Sequence, residues 1–150
     1  MQNYNLMEFE IGKITEIKHI RAEKSRLSAR ESALSRPMME DRSQIKHIYD
    51  IFKEVLSQRG CPPRIGSVTQ RKKFILLVLY LYAPGVLSGG RIAKGLRCYI
   101  AEATNVTAQN IISENLSDVV FLYQNTRKFS ADFDMLFKKV TERLEMEGLL

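Results

Sequence analysis

The sequence predicts an all-α fold: a single-domain helical bundle of five or six helices with a long N-terminal helix. Three observations predict it. Apolar residues recur at three- and four-residue spacing in several segments, which is typical of helices with one buried face. No segment of any length alternates apolar and polar residues as a half-buried strand would. Proline and glycine cluster at a few places and divide the chain into segments of helical length.

The composition is that of a globular domain. The chain has 150 residues, of which 45% are hydrophobic, enough for one domain with its own core. Its long apolar run, residues 74–83, is shorter than the roughly 20 residues that cross a bilayer, so we expect no membrane contact. Residues 1–10 do not have the apolar run of a signal peptide, and we expect a cytoplasmic protein. Cys61 and Cys98 supply neither a disulfide framework nor a zinc site, and we expect no cofactor.

The first predicted helix covers residues 7–34, within an N-terminal helical arm of residues 1–36. Ile20, Leu27 and Leu34 are seven residues apart, but the partner positions of a coiled-coil seam are Lys24 and Glu31. Two interpretations stay open: an arm that pairs two copies in a homodimer, and a partly frayed surface helix.

Residues 37–150 are predicted to form the bundle. After a break at Pro37, one apolar stripe predicts a helix that ends near Gly60; it consists of Ile45, Ile48, Tyr49, Phe52, Val55 and Leu56. Pro62 and Pro63 then favour an extended connection. Ser67 and Gln70 have the spacing of a capping box, and the helix that they start is apolar on every face, which predicts a central buried helix.

Three further helices follow a break at residues 84–90. The first has an apolar stripe at Ile92, Leu96, Ile100 and Ala103, and the second at Ile112, Leu116, Val119 and Tyr123. The last is predicted to open at Ser130, with Phe133, Leu136, Phe137, Val140 and Leu144 facing inward.

The connection between the first two of these helices is short, as in an open helix pair. Ala101, Asn105, Val106, Thr107 and Ile111 occur at the spacing of a helix-turn-helix. The segment resembles the helix-turn-helix DNA-binding proteins of bacterial phages and mobile elements over about 25 residues, within residues 91–123. The resemblance implies a small residue at 101, a left-handed turn at 105, a buried hydrophobe at 106, a cap at 107 and a first core residue at 111.

One position departs from the family pattern. The family has a second apolar residue three positions after Ile111, and this chain has Glu114; its apolar stripe runs through Ile112 and Leu116 instead. A turn that is longer by one residue brings the apolar stripe of this helix into register with the apolar positions of the family.

Charge adds a second indication. Residues 61–100 contain seven basic residues and no acidic one, and such a block attracts polyanions, nucleic acid first. The alternative is a solvated surface on which charge is unevenly distributed and has no binding role. Double-stranded DNA is the predicted partner. The candidate DNA-binding residues are Arg71, Lys72, Lys73, Arg91, Lys94, Arg97, Thr107, Gln109, Asn110, Ser113, Glu114 and Ser117.

Helical geometry assigns roles within this set. Arg91, Lys94 and Arg97 are predicted to form a basic face on the first helix, which crosses the phosphate backbone in this motif. The outward side of the second helix is predicted to approach bases. Asn110 suits adenine, Glu114 suits cytosine, and Ser113 and Ser117 suit either.

No catalytic motif emerges from the sequence. His19 and His47 lie on separate helices, and the glycines at 85–95 are not followed by the Lys and Ser or Thr of a phosphate loop. We therefore expect a non-enzymatic regulator. The alternative is a helical phage structural or assembly protein, an adaptor or oligomeric component, that self-associates through the N-terminal helix and Phe121.

Overall fold

The computed structural model describes residues 2–59, 67–107 and 110–150, with side chains from residue 10 onward, and every regular element in these ranges is helical. The helices are α1 (Gln2–Leu34), α2 (Ile45–Ser57), α3 (Val68–Tyr82), α4 (Lys94–Ala103), α5 (Asn110–Asn125) and α6 (Arg127–Met146). Two short 3₁₀ turns, Arg42–Gln44 and Pro84–Ser88, precede α2 and α4. The prediction of an all-α bundle with five or six helices is confirmed.

The chain divides into two compact units, Met1–Arg36 and Pro37–Leu150. The first unit contains α1, in which Ile11, Ile14, Ile17 and Ile20 are all exposed. Each residue turns a helix by about 100°, so Ile11 and Ile20 lie on opposite sides of α1. These isoleucines therefore form no single apolar face, and pairing of α1 in a homodimer stays a prediction.

The core of the second unit is built around α3. Residues 74–79 and Leu81 are buried on all sides of this helix, and Tyr80 is the exposed exception in the run. α3 packs against α5, while α2 packs against α4 and α6, and α5 also contacts α6. The buried residues of the surrounding helices face the interior of the unit. The apolar run of α3 is therefore covered by protein and forms a core helix. Among the described helices none is long and apolar enough to cross a membrane.

The stripe predicted on α2 is the one that packs. Ile45, Ile48, Phe52, Val55 and Leu56 are buried, and Tyr49 is half-buried. The ring of Tyr49 lies edge-on to that of Phe74 on α3, with a centroid distance of 4.7 Å. Aromatic pairs prefer this arrangement, so it joins α2 to the central helix.

One predicted helix start needs correction, and a second is confirmed with half of its capping box. α6 begins at Arg127 and not at Ser130, whose hydroxyl donates to the Arg127 carbonyl at 3.1 Å within the first turn; serine can make such a bond inside a helix. The capping box of α3 is half formed. The Ser67 hydroxyl accepts from the Gln70 backbone N–H at 3.3 Å, but Oε1 of Gln70 is buried without a hydrogen-bond partner. The predicted extended connection at Pro62 and Pro63, with Cys61, lies outside the described residues.

Candidate nucleic-acid interface

The turn after α4 has a defined left-handed conformation at Asn105, where φ is 56°. The backbone N–H of Asn105 donates to the Glu102 carbonyl at 3.2 Å, and that of Val106 donates to the Ala101 carbonyl at 2.9 Å. This pair of bonds defines a Schellman helix end, in which asparagine here takes the position usually held by glycine. Ala101 is buried. The left-handed turn that the helix-turn-helix resemblance implies is present at Asn105, but Val106, which the resemblance implies is buried, is only half-buried.

The register of α5 differs from the family pattern by one residue. Ile112 is fully buried, whereas Ile111 is only half-buried, so the prediction of Ile111 as the first core residue is wrong. Val119 continues the inward face, and Glu114 is exposed. Asn115 is buried although it is polar, because its side-chain amide donates to the Ile111 carbonyl. The stripe that begins at Ile112 therefore sets the orientation of α5.

The outward edge of α5 is polar. Asn110, Glu114 and Ser117 are exposed there, and Ser113 is half-buried. The hydroxyl of Ser117 donates to the Glu114 carbonyl at 2.8 Å, which leaves its oxygen free to accept a further bond. One helix edge thus presents an amide, a carboxylate and a hydroxyl within about two turns.

Two candidate residues belong to the connection before α5. Thr107 is exposed, but a cap at 107 would accept from the backbone N–H of residue 109 or 110, and residues 108 and 109 lie outside the described residues. Gln109 lies outside them as well.

The cationic residues of α4 lie beside this polar edge. Arg97 is half-buried with its Nε buried and unpaired, and its Nη1 donates to the hydroxyl of Ser113 at 3.3 Å. Lys94 is one turn earlier on α4 and is exposed, as is Arg91. The prediction that Arg91 belongs to the helix is wrong, because α4 begins at Lys94 and Arg91 lies in the segment before it. We use the name α4–α5 surface for Arg91, Lys94, Arg97, Asn110, Ser113, Glu114 and Ser117.

No family model, curated protein or solved structure matches this chain. Its functional assignment therefore depends on the geometry of its own side chains. In the part of the chain that the structure describes, no three His, Cys, Asp or Glu side chains come together as a metal site. The α4–α5 surface is one place where charged and polar groups from two helices meet.

Arg42 places a further cation against α4, and it was missed from the sequence. It lies in the 3₁₀ turn that packs against α4. A Cβ atom built on Gly95 would lie 2.8 Å from Nη1 of Arg42, so the guanidinium lies against the backbone of α4 next to Lys94. Arg42 and Lys94 are 52 positions apart in the chain, and no local pattern in the sequence brings them together.

The basic run at the start of α3 is only partly available to a ligand. Lys72 is half-buried, and its Nζ is 3.3 Å from a carboxylate oxygen of Asp118 on α5. This contact partly neutralises an acidic residue that would otherwise repel phosphates near the α4–α5 surface. Arg71 is half-buried, and its Nε is buried without a hydrogen-bond partner.

Lys73 is not a surface cation, which corrects its assignment to the phosphate-binding set. It is buried, and its ammonium donates to the carboxylate of Asp132 on α6. Arg59 pairs with the same carboxylate at 2.7 Å. Burial by itself raises the pKa of Asp132, but Lys73 and Arg59 outweigh it, so that the pKa lies below its ordinary value. Lys73 therefore stabilises the junction of α3 and α6.

Proposed function

We propose that this protein binds double-stranded DNA through the α4–α5 surface and has no enzymatic activity. The observation that carries the proposal is the contact between Arg97 and Ser113. It joins the basic side of α4 to the polar edge of α5, so that one docked duplex would meet both.

Each side suits a different part of the duplex. In helix-turn-helix proteins the second helix enters the major groove, while the first crosses the phosphate backbone. Arg91, Lys94 and Arg97 would neutralise phosphates, which positions a protein without reading sequence. Asn110 can form two hydrogen bonds with the major-groove edge of adenine, and Glu114 can accept from the amino group of cytosine.

The left-handed turn supports this arrangement. Asn105 ends α4 abruptly and lets α5 start after a short connection. Asn110, the first residue of α5, is exposed, and base-reading residues in this motif lie at that end of the second helix. From the helix-turn-helix resemblance alone, we further propose that binding serves regulation in a phage or mobile element.

The test is fluorescence anisotropy with a labelled duplex of random sequence. Three phosphate contacts give a slope of about −2.7 in a plot of log affinity against log salt, which is a loss of about 40-fold between about 50 and about 200 mM. The variant with Arg91, Lys94 and Arg97 all changed to Ala should lose binding and this salt dependence.

The matched control changes three exposed lysines outside the α4–α5 surface, Lys46, Lys138 and Lys139, to Ala. It removes the same net charge but leaves the α4–α5 surface unchanged, so it should retain most of the affinity. Equal losses in the two triple variants would show attraction by net charge and would contradict the proposed interface.

A second candidate function is self-association in an assembly. Its supporting observation is Phe121, which is 63% exposed on α5, since a large aromatic side chain at that exposure is common in protein contacts. Light scattering without nucleic acid separates the candidates: an assembly protein gives a ring or higher oligomer, and a regulator gives a monomer or dimer. Phe121→Ser should disperse an oligomer of this kind.

A further inference from the structure

A cavity of about 380 Å³ lies at the other end of α5, away from the α4–α5 surface. Its walls come from α3, the Pro84–Ser88 turn, α5 and α6, all within the second unit. Four of the residues that line it are aromatic: Tyr80, Tyr123, Phe133 and Phe137. None of its lining residues belongs to the α4–α5 surface, so the cavity is independent of the DNA proposal. Its volume is in the range of small-molecule sites.

The aromatic rings contact one another around this cavity. Tyr80 meets Phe137 edge to face at a centroid distance of 5.0 Å, and Tyr123 meets Phe133 in the same way at 5.7 Å. Phe133 and Phe137 stack at 5.9 Å. Because these contacts fix the rings, the cavity is lined by preformed aromatic surfaces, and its walls need little ordering when a ligand binds.

One carboxylate lies among these rings. Asp134 lines the cavity and accepts a hydrogen bond from the hydroxyl of Tyr123 at 2.8 Å. That bond, with some burial, raises the pKa of Tyr123, so the phenol stays protonated at neutral pH and keeps donating. No lysine, arginine or histidine lines the cavity, and among the described residues no basic side chain forms an ion pair with Asp134.

We propose that this cavity binds a small organic cation with an apolar body, an amine or quaternary ammonium compound. Aromatic faces attract cations through their quadrupoles. The exposed carboxylate of Asp134 supplies the counter-charge beside the apolar walls. A neutral ligand of the same shape gains only the apolar contact, and an anion is repelled.

Three ligands with the same phenylbutyl body test the proposal by isothermal titration calorimetry. The cation is phenylbutylamine, the neutral ligand is phenylbutanol and the anion is 5-phenylpentanoate. We expect the amine to bind about tenfold tighter than the alcohol, and the carboxylate to bind weakest. Equal affinities for amine and alcohol, or no binding of the amine, would overturn the proposal.

Asp134→Asn isolates the charge. Asparagine keeps an oxygen that accepts from Tyr123, so the exposed site should fold unchanged while the amine loses its advantage over the alcohol. The matched control is Glu142→Gln, which removes the same charge from an exposed position of α6 outside the cavity and should change neither affinity. Tyr80→Leu, at an exposed position of the wall, should weaken the amine more than the alcohol. An amine affinity that survives Asp134→Asn would refute the assignment.

Discussion

The left-handed turn at Asn105 makes a prediction about stability that can be worked from its backbone. With φ at 56°, this residue is in a conformation that costs an ordinary L-residue about 1–2 kcal/mol and costs glycine almost nothing. Asparagine lies between them, because its short polar side chain can form local hydrogen bonds. We therefore expect Asn105→Ala to lower the free energy of unfolding by about 1 kcal/mol.

Asn105→Gly should behave differently. Glycine removes the strain at this position, but it also increases the entropy of the unfolded chain, which costs about 0.4–1 kcal/mol. The two effects nearly cancel, so we expect a change close to zero. Glycine is thus predicted to be better tolerated than alanine, the reverse of their order inside a helix.

The assay is urea denaturation followed by tyrosine fluorescence, since the chain has six tyrosines and no tryptophan. Glu102→Ala is the matched control, because Glu102 is exposed in the last turn of α4 and has right-handed helical geometry. It should change the free energy of unfolding by less than about 0.5 kcal/mol. An Asn105→Ala variant as stable as Asn105→Gly would refute the left-handed turn.

Two further predictions concern ionisable groups in the bundle. Asp132→Asn removes the anion between Lys73 and Arg59, and we expect it to lower the free energy of unfolding by about 3 kcal/mol at neutral pH. Because the native pKa of Asp132 lies below the ordinary 3.8, the wild-type advantage in urea denaturation should persist down to about pH 4 and shrink as pH falls further; an unchanged difference at acid pH would contradict this. Burial, with a smaller contribution from Asp41, raises the pKa of Tyr82 to about 12, so stability should fall by on the order of 1–2 kcal/mol as pH rises through about 10 to about 12. Tyr82→Phe should flatten that alkaline fall, and parallel curves for the two proteins would contradict it.

Much of the fold could be predicted from the sequence because its helices are strongly patterned. The stripe on α2 and the apolar run of α3 can each be recognised from neighbouring residues in the sequence. Both are buried in the core. Helix ends were less predictable. Serine is a common capping residue, yet Ser130 lies inside α6. Its hydroxyl donates to a backbone carbonyl of the same helix.

The candidate site was predictable only where neighbouring residues determine it. Asn105 was expected to adopt a left-handed conformation because few other residues tolerate it, and its φ agrees. The burial of Lys73 and the position of Arg42 were not predictable. Both depend on contacts with distant parts of the chain, Asp132 in one case and α4 in the other, which no local spacing reveals.

The most direct test of the DNA proposal is a map of the amides that respond to a duplex. In a titration of ¹⁵N-labelled protein with a short random-sequence duplex at low salt, residues 91–97 and 110–117 should show the largest chemical-shift changes, and raised salt should reverse them. Changes confined to α1 or α6, or no changes at protein concentrations where charged proteins bind DNA without specificity, would contradict binding through the surface where Arg97 meets Ser113.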